Sequence, residues 1–262
     1  MSATIPIPPI EMRELVGPTE PEAFDNPDHR LVYPYLDRAA YESVFDFGCG
    51  CGRVARQLIQ QDPQPSRYLG IDLHRGMIEW CRRNLAPVAP QFEFVHHDVR
   101  NLSFNPGDEK PELLPFPAEP ESATFVNATS VFTHLTQAQA EHYLHEVARI
   151  LRPDGVFQAT WFLFDKLEFP MLQEEMNALY IAYQDPSAAV IFARDWVRET
   201  ARAAGLVIYE AMPPAIRGFQ WTMLFAPAVA GRREVDLPRD DGPIGLARPP
   251  RGPTDPSRIG LD

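Results

Sequence analysis

Residues Ser43-Val44-Phe45-Asp46-Phe47 form a short apolar run that stops at Gly48-Cys49-Gly50-Cys51-Gly52. A run of that length ending in a glycine cluster reads as a buried strand. Three alternate glycines permit a tight turn and let a ligand approach the backbone with no Cβ in the way. The sequence that follows places Val54, Ala55 and Leu58 on one helical face. Strand, glycine turn and helix in that order aim the helix's positive N-terminus at the turn. They also commit the chain to an architecture of alternating strands and helices.

The same alternation continues downstream. Strands are expected at 67–72, 92–98, 123–128, 156–164, 206–212 and 221–227. Helices are expected at 75–85, 137–151 and 194–205, with a further helical stretch over 172–183. Seven strands interleaved with helices, the early ones apolar on both faces, imply a mostly parallel sheet with helices on both faces, an α/β fold. The last two strands are joined only by Pro-Pro-Ala-Ile-Arg-Gly-Phe-Gln. That connection holds no crossover helix, so one late strand should run antiparallel.

Composition bounds the rest. The 262 residues are 45% hydrophobic and 23% charged, enough for a sizeable core. The net charge of −12 repels phosphate backbones and anionic membranes, so no nucleic-acid partner is expected. No apolar run approaches the roughly 20 residues that span a bilayer, so no membrane span is expected either. The N-terminus lacks the basic start and apolar stretch of a secretory signal, and three cysteines cannot pair completely. The expected location is cytoplasmic. Prolines cluster at both ends and divide the chain into an N-terminal arm (1–37), one domain (38–230) with an insert at 165–193, and a Pro/Gly/Arg-rich tail (231–262) expected to be disordered. The sequence sets no oligomeric state.

In an open α/β sheet, ligands bind beyond the carboxyl ends of the strands. The first strand carries Asp46 and ends at the glycine turn. Twenty residues past Gly52 the second strand ends in Asp72, the spacing at which a carboxylate accepts hydrogen bonds from both ribose hydroxyls. The third strand ends in Asp98, placed to accept from an exocyclic amine such as adenine N6. Together these describe an adenosine pocket. Gly50-x-Gly52-x-x-Ala55 also satisfies a dinucleotide fingerprint, so an NAD-linked oxidoreductase is an alternative. A dinucleotide domain, however, gives no reason for Asp46, for Asp98, or for the Leu151-Arg152-Pro153-Asp154-Gly155 turn.

Four segments instead resemble the class I S-adenosylmethionine (SAM)-dependent methyltransferases: Val44–Ala55, Tyr68–Leu85, Phe94–Val99 and the turn at 151–155. The resemblance covers roughly residues 40–228 and departs at Thr124, where an acid is usual. It implies a Rossmann-like fold with SAM as cofactor and a small-molecule acceptor. Gly48, Cys49, Gly50 and Gly52 would cradle the methionine part, with Asp46 toward its ammonium group. Asp72, with Leu73 beside it, would hold the ribose and Met77 would pack on the adenosine. Asp98 and the Val99 amide would meet the adenine edge, and Ala128 and Thr129 would lie below the sulfonium. A SAM-binding subunit without catalysis is the alternative outside enzymes.

His134 follows the fourth strand, where methyl group and acceptor should meet. Imidazole is the side chain whose ordinary titration suits removal of a hydroxyl proton, which makes His134 the candidate base and oxygen the expected methyl acceptor. Tyr33, Trp161 and Tyr183 are candidate aromatic walls for the acceptor, and the arm carrying Tyr33 is either a lid or a packing strap. No metal is expected. His96 and His97 are strand neighbours that point to opposite faces, and Cys49 and Cys51 have no second pair.

Overall fold

The computed structural model describes residues 5–182, 184–216 and 220–237. In chain order the elements are α1 (Ile10–Val16), β1 (Ser43–Phe47), α2 (Arg53–Gln60), β2 (Arg67–Asp72), α3 (Arg75–Asn84), β3 (Phe92–His96) and β4 (Ala123–Ala128). Then follow α4 (Gln137–Ile150), β5 (Leu151–Phe164), β6 (Ala178–Tyr180), β7 (Val190–Ala193), α5 (Arg194–Ala203), β8 (Leu206–Ile216) and β9 (Gln220–Pro227). The strands form one sheet in the order β3-β2-β1-β4-β5-β7-β6, with β9 also on β5 and β8 on β9. Strands β1 to β5 pair in parallel, and β9 runs antiparallel to both β5 and β8. Among the described residues no helix is long and apolar enough to cross a membrane.

Successive side chains of the central strands feed two cores. Val44, Tyr68, Phe125 and Leu224 pack with α2 and α3 on one face. Phe45, Val126, Phe157 and Phe225 pack with α4 and α5 on the other. Covering both faces is what permits a nearly all-apolar parallel strand such as β4 to lie at the centre. Its Thr124 is spent on bracing, accepting the Ser43 N–H at 2.8 Å and lying 2.8 Å from the Ala40 carbonyl. Helix α4 starts at a reciprocal cap, Thr136 accepting from the Gln139 N–H at 3.3 Å and Gln139 accepting from the Thr136 N–H at 3.0 Å.

Among the described residues nine strands replace the expected seven, and the insert accounts for the difference. Instead of a helix over 172–183, Ala178–Tyr180 pairs antiparallel with Val190–Phe192. A helix here would have had little to bury, since Met176, Tyr180 and Ile181 are exposed. Val190 and Phe192 instead reach the core, and β7 takes up the edge of β5 from Phe162 onward, just past the last pairing of β5 with β9 at Trp161. Tertiary pairing here overrides a weak local periodicity.

The arm is fastened to α2 through one buried guanidinium. Arg56 donates to the carbonyls of Ile5 (3.0 Å), Pro6 (3.0 Å) and Phe24 (2.8 Å) and pairs with Asp25. The start of the tail also packs: Leu237 is buried, its carbonyl accepts from Arg194, and Glu234 pairs with Arg202. The remainder of the tail lies outside the described residues. Removing the Arg56 side chain in Arg56→Ala should cost roughly 2–4 kcal/mol of arm docking, because three carbonyls and one carboxylate lose a buried partner. Hydrogen exchange should then rise across residues 5–30 and stay slow in β1, β4 and β5; unchanged exchange in the arm would show that other contacts hold it.

Candidate functional site

A cavity of about 390 Å³ opens at the carboxyl ends of β1, β2 and β4. Its floor is the glycine turn. The Gly48 and Cys49 amides both donate to the Ile71 carbonyl, at 2.8 and 3.0 Å, which draws the turn beneath the end of β2. There Asp72 clasps it, one carboxylate oxygen accepting from the Gly50 N–H (2.8 Å) and the other from the His74 N–H (2.7 Å). Gly48 and Gly50 hold φ of +77° and +54°, and neighbours approach both. A Cβ on Gly50 would stand 2.7 Å from Val16 of α1, and one on Gly48 would collide with Val131 beyond β4. Turn backbone thus faces the cavity between α1 and the segment after β4. Burial pushes the Asp72 carboxyl above its usual range, against the pull of the two amides.

Asp46 lies beneath the turn, 1% exposed. Its oxygens accept from the Tyr68 hydroxyl (2.6 Å) and from Asn127 Nδ2 (2.7 Å). The Asn127 carbonyl in turn accepts from Thr129 (2.9 Å), Gln158 (3.1 Å) and Tyr33 (3.3 Å), and Gln158 accepts from the Tyr35 hydroxyl at 2.5 Å. Burial raises the Asp46 carboxyl and lifts Tyr33 to about 12. One continuous polar chain therefore runs from β2 through β1, β4 and β5 into the arm.

Of the residues singled out from sequence, Asp46, Gly48, Cys49, Gly50, Asp72, Leu73, Met77, Val99, Thr129 and His134 line this cavity. Others lie elsewhere. Gly52 packs on Leu85 and Cys81, and Ala128 is wholly buried. Trp161 is core, its ring edge-on to Phe192 and tilted against Phe132 and Phe225. Tyr33 lines a neighbouring cavity, and Tyr183 falls outside the described residues.

Asp98 is turned away. β3 ends at His96, and the backbone then bends, with the Val99 N–H bonded to the His97 carbonyl at 2.8 Å. The bend sends the Asp98 carboxylate to Asn105 (2.9 Å) and Lys110 (3.2 Å), and the Asn105 hydrogen bond does most to hold it below the usual carboxylate range. His97 faces the cavity instead, its Nε2 2.9 Å from the Tyr143 hydroxyl.

His134 ends a short turn, Phe132–His134. Its Nδ1 lies 3.0 Å from the Ser187 carbonyl, which can only accept, so Nδ1 carries the proton and the neutral ring keeps its lone pair on Nε2. The insert loop that supplies this carbonyl is itself tied down: Ser187 and Ser103 both donate to Asp185 at 2.6 Å, and Asn101 donates to Ser187 at 3.1 Å. Sequence reasoning missed Glu14 to Gly17 of the arm, Arg53, Tyr68 and Ser187. The amphipathic IEMRELV stretch and the amide of Asn127 in a mostly apolar strand were the available signals.

Residues 44–155 match a family model described as a methyltransferase domain. Over 117 residues, 45% of its length, the chain is 35% identical to a fatty-acid O-methyltransferase of Mycolicibacterium smegmatis, of which the match covers 36%. Over 141 residues, 52% of its length, it is 28% identical to a phthiotriol/phenolphthiotriol dimycocerosates methyltransferase of Mycobacterium tuberculosis, covering 45% of that protein. The chain thus spans less than half the length of these relatives. Its fold is shared with an O-methyltransferase of neocarzinostatin biosynthesis crystallised with SAM and 2-hydroxy-5-methyl naphthoic acid, at a TM-score of 0.50 and 16% identity over 73% of this chain and 50% of that one.

Burial lowers His97 from 6.5 to about 4. The folded chain therefore binds fewer protons there than the unfolded chain, so stability from this group is complete above about 6.5 and is lost as pH falls toward 4. His97→Gln, which keeps a partner for Tyr143 without the titration, should reduce the wild type's acid destabilisation by up to about 3 kcal/mol between pH 7 and 4. Urea unfolding of both proteins across that range measures it; parallel curves would place the His97 proton elsewhere.

Proposed function

We propose that this chain, which belongs to the class I SAM-dependent methyltransferases, moves a methyl group from SAM to an oxygen of a small-molecule acceptor. The observation that carries the reading is the glycine turn clasped by Asp72 in a cavity also lined by the carboxylates of Glu14 and Asp46. Turn backbone lining the cavity suits the amino-acid part of the cofactor, and three carboxylates suit its cationic groups and ribose hydroxyls. SAM, when bound, supplies the methyl group on a positively charged sulfur.

In this reading Asp72 holds the ribose, and Gly48, Cys49 and Gly50 receive the methionine part over the buried Asp46. Met77 and Leu73 pack on the adenosine. Val99 and His97, rather than Asp98, stand at the adenine end. Thr129 lies at the boundary where donor and acceptor meet. Placing the two reactants in line and excluding water supplies most of the rate in such a displacement. His134 accepts the acceptor's hydroxyl proton on Nε2, its ring set by the Ser187 carbonyl. The names of relatives that methylate oxygen, a fatty-acid O-methyltransferase among them, support oxygen over nitrogen. The arm and the 165–193 insert supply the variable walls of the acceptor side.

Asp72→Ala should weaken SAM binding about tenfold to a few hundredfold, since charge-assisted hydrogen bonds of roughly 1.5–3 kcal/mol each are replaced in part by water. Calorimetry with SAM and S-adenosylhomocysteine reads this, and undiminished affinity would sink the assignment of the ribose to Asp72. A panel of hydroxylated acceptors, followed by S-adenosylhomocysteine release, tests turnover and separates an enzyme from a silent SAM-binding subunit.

His134→Ala should lower kcat by about 10²–10⁴ and leave SAM affinity within about threefold, because the imidazole lies on the acceptor side. Near wild-type kcat in this variant would remove the base role and with it the main reason for preferring oxygen.

A further inference from the structure

A second cavity, of about 180 Å³, adjoins the first. Tyr33 and Tyr35 of the arm, Gln158 and Thr160 of β5, and Thr222 of β9 wall it, and Arg53, Val54 and Thr129 line both cavities. The two compartments differ in charge. Glu14, Asp46 and Asp72 line the first, whereas no carboxylate among the described residues lines the second.

Most polar groups of the second cavity are already committed. The Tyr33 and Tyr35 hydroxyls are bonded to Asn127 and Gln158, Gln57 donates to the Ala23 carbonyl at 3.0 Å, and Thr160 accepts the Ser130 N–H at 2.7 Å. Arg53 and Thr222 are the exceptions: the Arg53 guanidinium has no hydrogen bond or ion pair with the described residues, and its charge acts on the buried Asp46 only at a distance. A guanidinium carries five N–H donors in a planar fork that matches a carboxylate on two bonds. In a chain of net charge −12, a polar cavity with an uncommitted arginine and no acid selects an anion.

We propose that the second cavity seats the carboxylate of the methyl acceptor on Arg53, so that the acceptor is an organic acid. This rests on the methyl-transfer reading and adds a substrate class to it. The acid-lined compartment takes the cationic donor and the acid-free one the anionic end of the acceptor, and opposite charge preferences keep the two from exchanging places. With its carboxylate at Arg53, the acceptor extends past Thr129, which both cavities share, toward His134 in the first.

The test is calorimetry on the full chain saturated with S-adenosylhomocysteine, titrated with salicylate and octanoate and with their neutral amides. At least one acid should bind the wild type about tenfold or more tightly than its amide, as a desolvated charge-assisted pair requires. Arg53→Gln should abolish that preference and Arg53→Lys should keep part of it, with S-adenosylhomocysteine affinity within about threefold of wild type throughout. Equal binding of acids and amides by the wild type, or a preference that survives Arg53→Gln, overturns the proposal. So does a variant that loses S-adenosylhomocysteine about tenfold while 5′-methylthioadenosine, which lacks the amino-acid carboxylate, binds as before, since Arg53 then serves the donor. A wild type that binds no S-adenosylhomocysteine removes the methyl-transfer reading itself, a result distinct from the others.

Discussion

The clasp between Asp72 and the glycine turn is the interaction on which the site depends. Two backbone amides, from Gly50 and His74, converge on one carboxylate at the end of β2. That convergence sets the turn after β1 and the start of α3 in a common frame. The turn can lie so close to β2 only because its backbone occupies positive φ at Gly48 and Gly50, where Val131 and Val16 leave no room for a side chain. From this constraint follow the floor of the first cavity, the approach of α1 over it, and the position of Arg53 at the head of α2.

Beneath the clasp lies a second organising device, the buried polar chain from Tyr68 through Asp46 and Asn127 to Gln158 and the arm tyrosines. A carboxylate 1% exposed is tolerated at the sheet centre because both of its oxygens are bonded. Asn127 does most of the connecting, with one donor to Asp46 and one carbonyl shared by three donors. Through it the arm's Tyr33 is registered against the same network that supports the turn, so arm and site are physically joined. Such a network is costly when broken at one point, since each orphaned partner remains in a dry interior.

The arm and the insert finish the site by hydrogen bonding to it rather than by building a core of their own. Arg56 gathers the arm's carbonyls onto α2, and the insert loop at Asp185 and Ser187 is bonded to Asn101, Ser103 and His134. The Ser187 carbonyl fixes the protonated nitrogen of His134, which gives an otherwise generic helix-entry histidine a defined lone pair.

Residues 43–47, 67–72 and 123–128 stand as strands with the limits their apolar runs suggested, and Asp46, the glycines and Asp72 fall where strand ends put them. Those features were legible because they rest on local causes: short continuous apolar runs buried on both faces, glycine backbone freedom, and short-range spacing between strand ends. Tertiary structure alone decided the rest. His97 lines the cavity and Asp98 does not, because the chain bends after His96 and the Asp98 carboxylate is held by Asn105 and Lys110. The insert forms β6 and β7 because the free edge of β5 offered partners that a helix over 172–183 would not have found. Asn127 meets Asp46 from 81 residues away and Tyr33 from 94, distances over which no periodicity carries information. Pairings between buried polar groups are fixed by which elements pack together, and that is a property of the folded sheet.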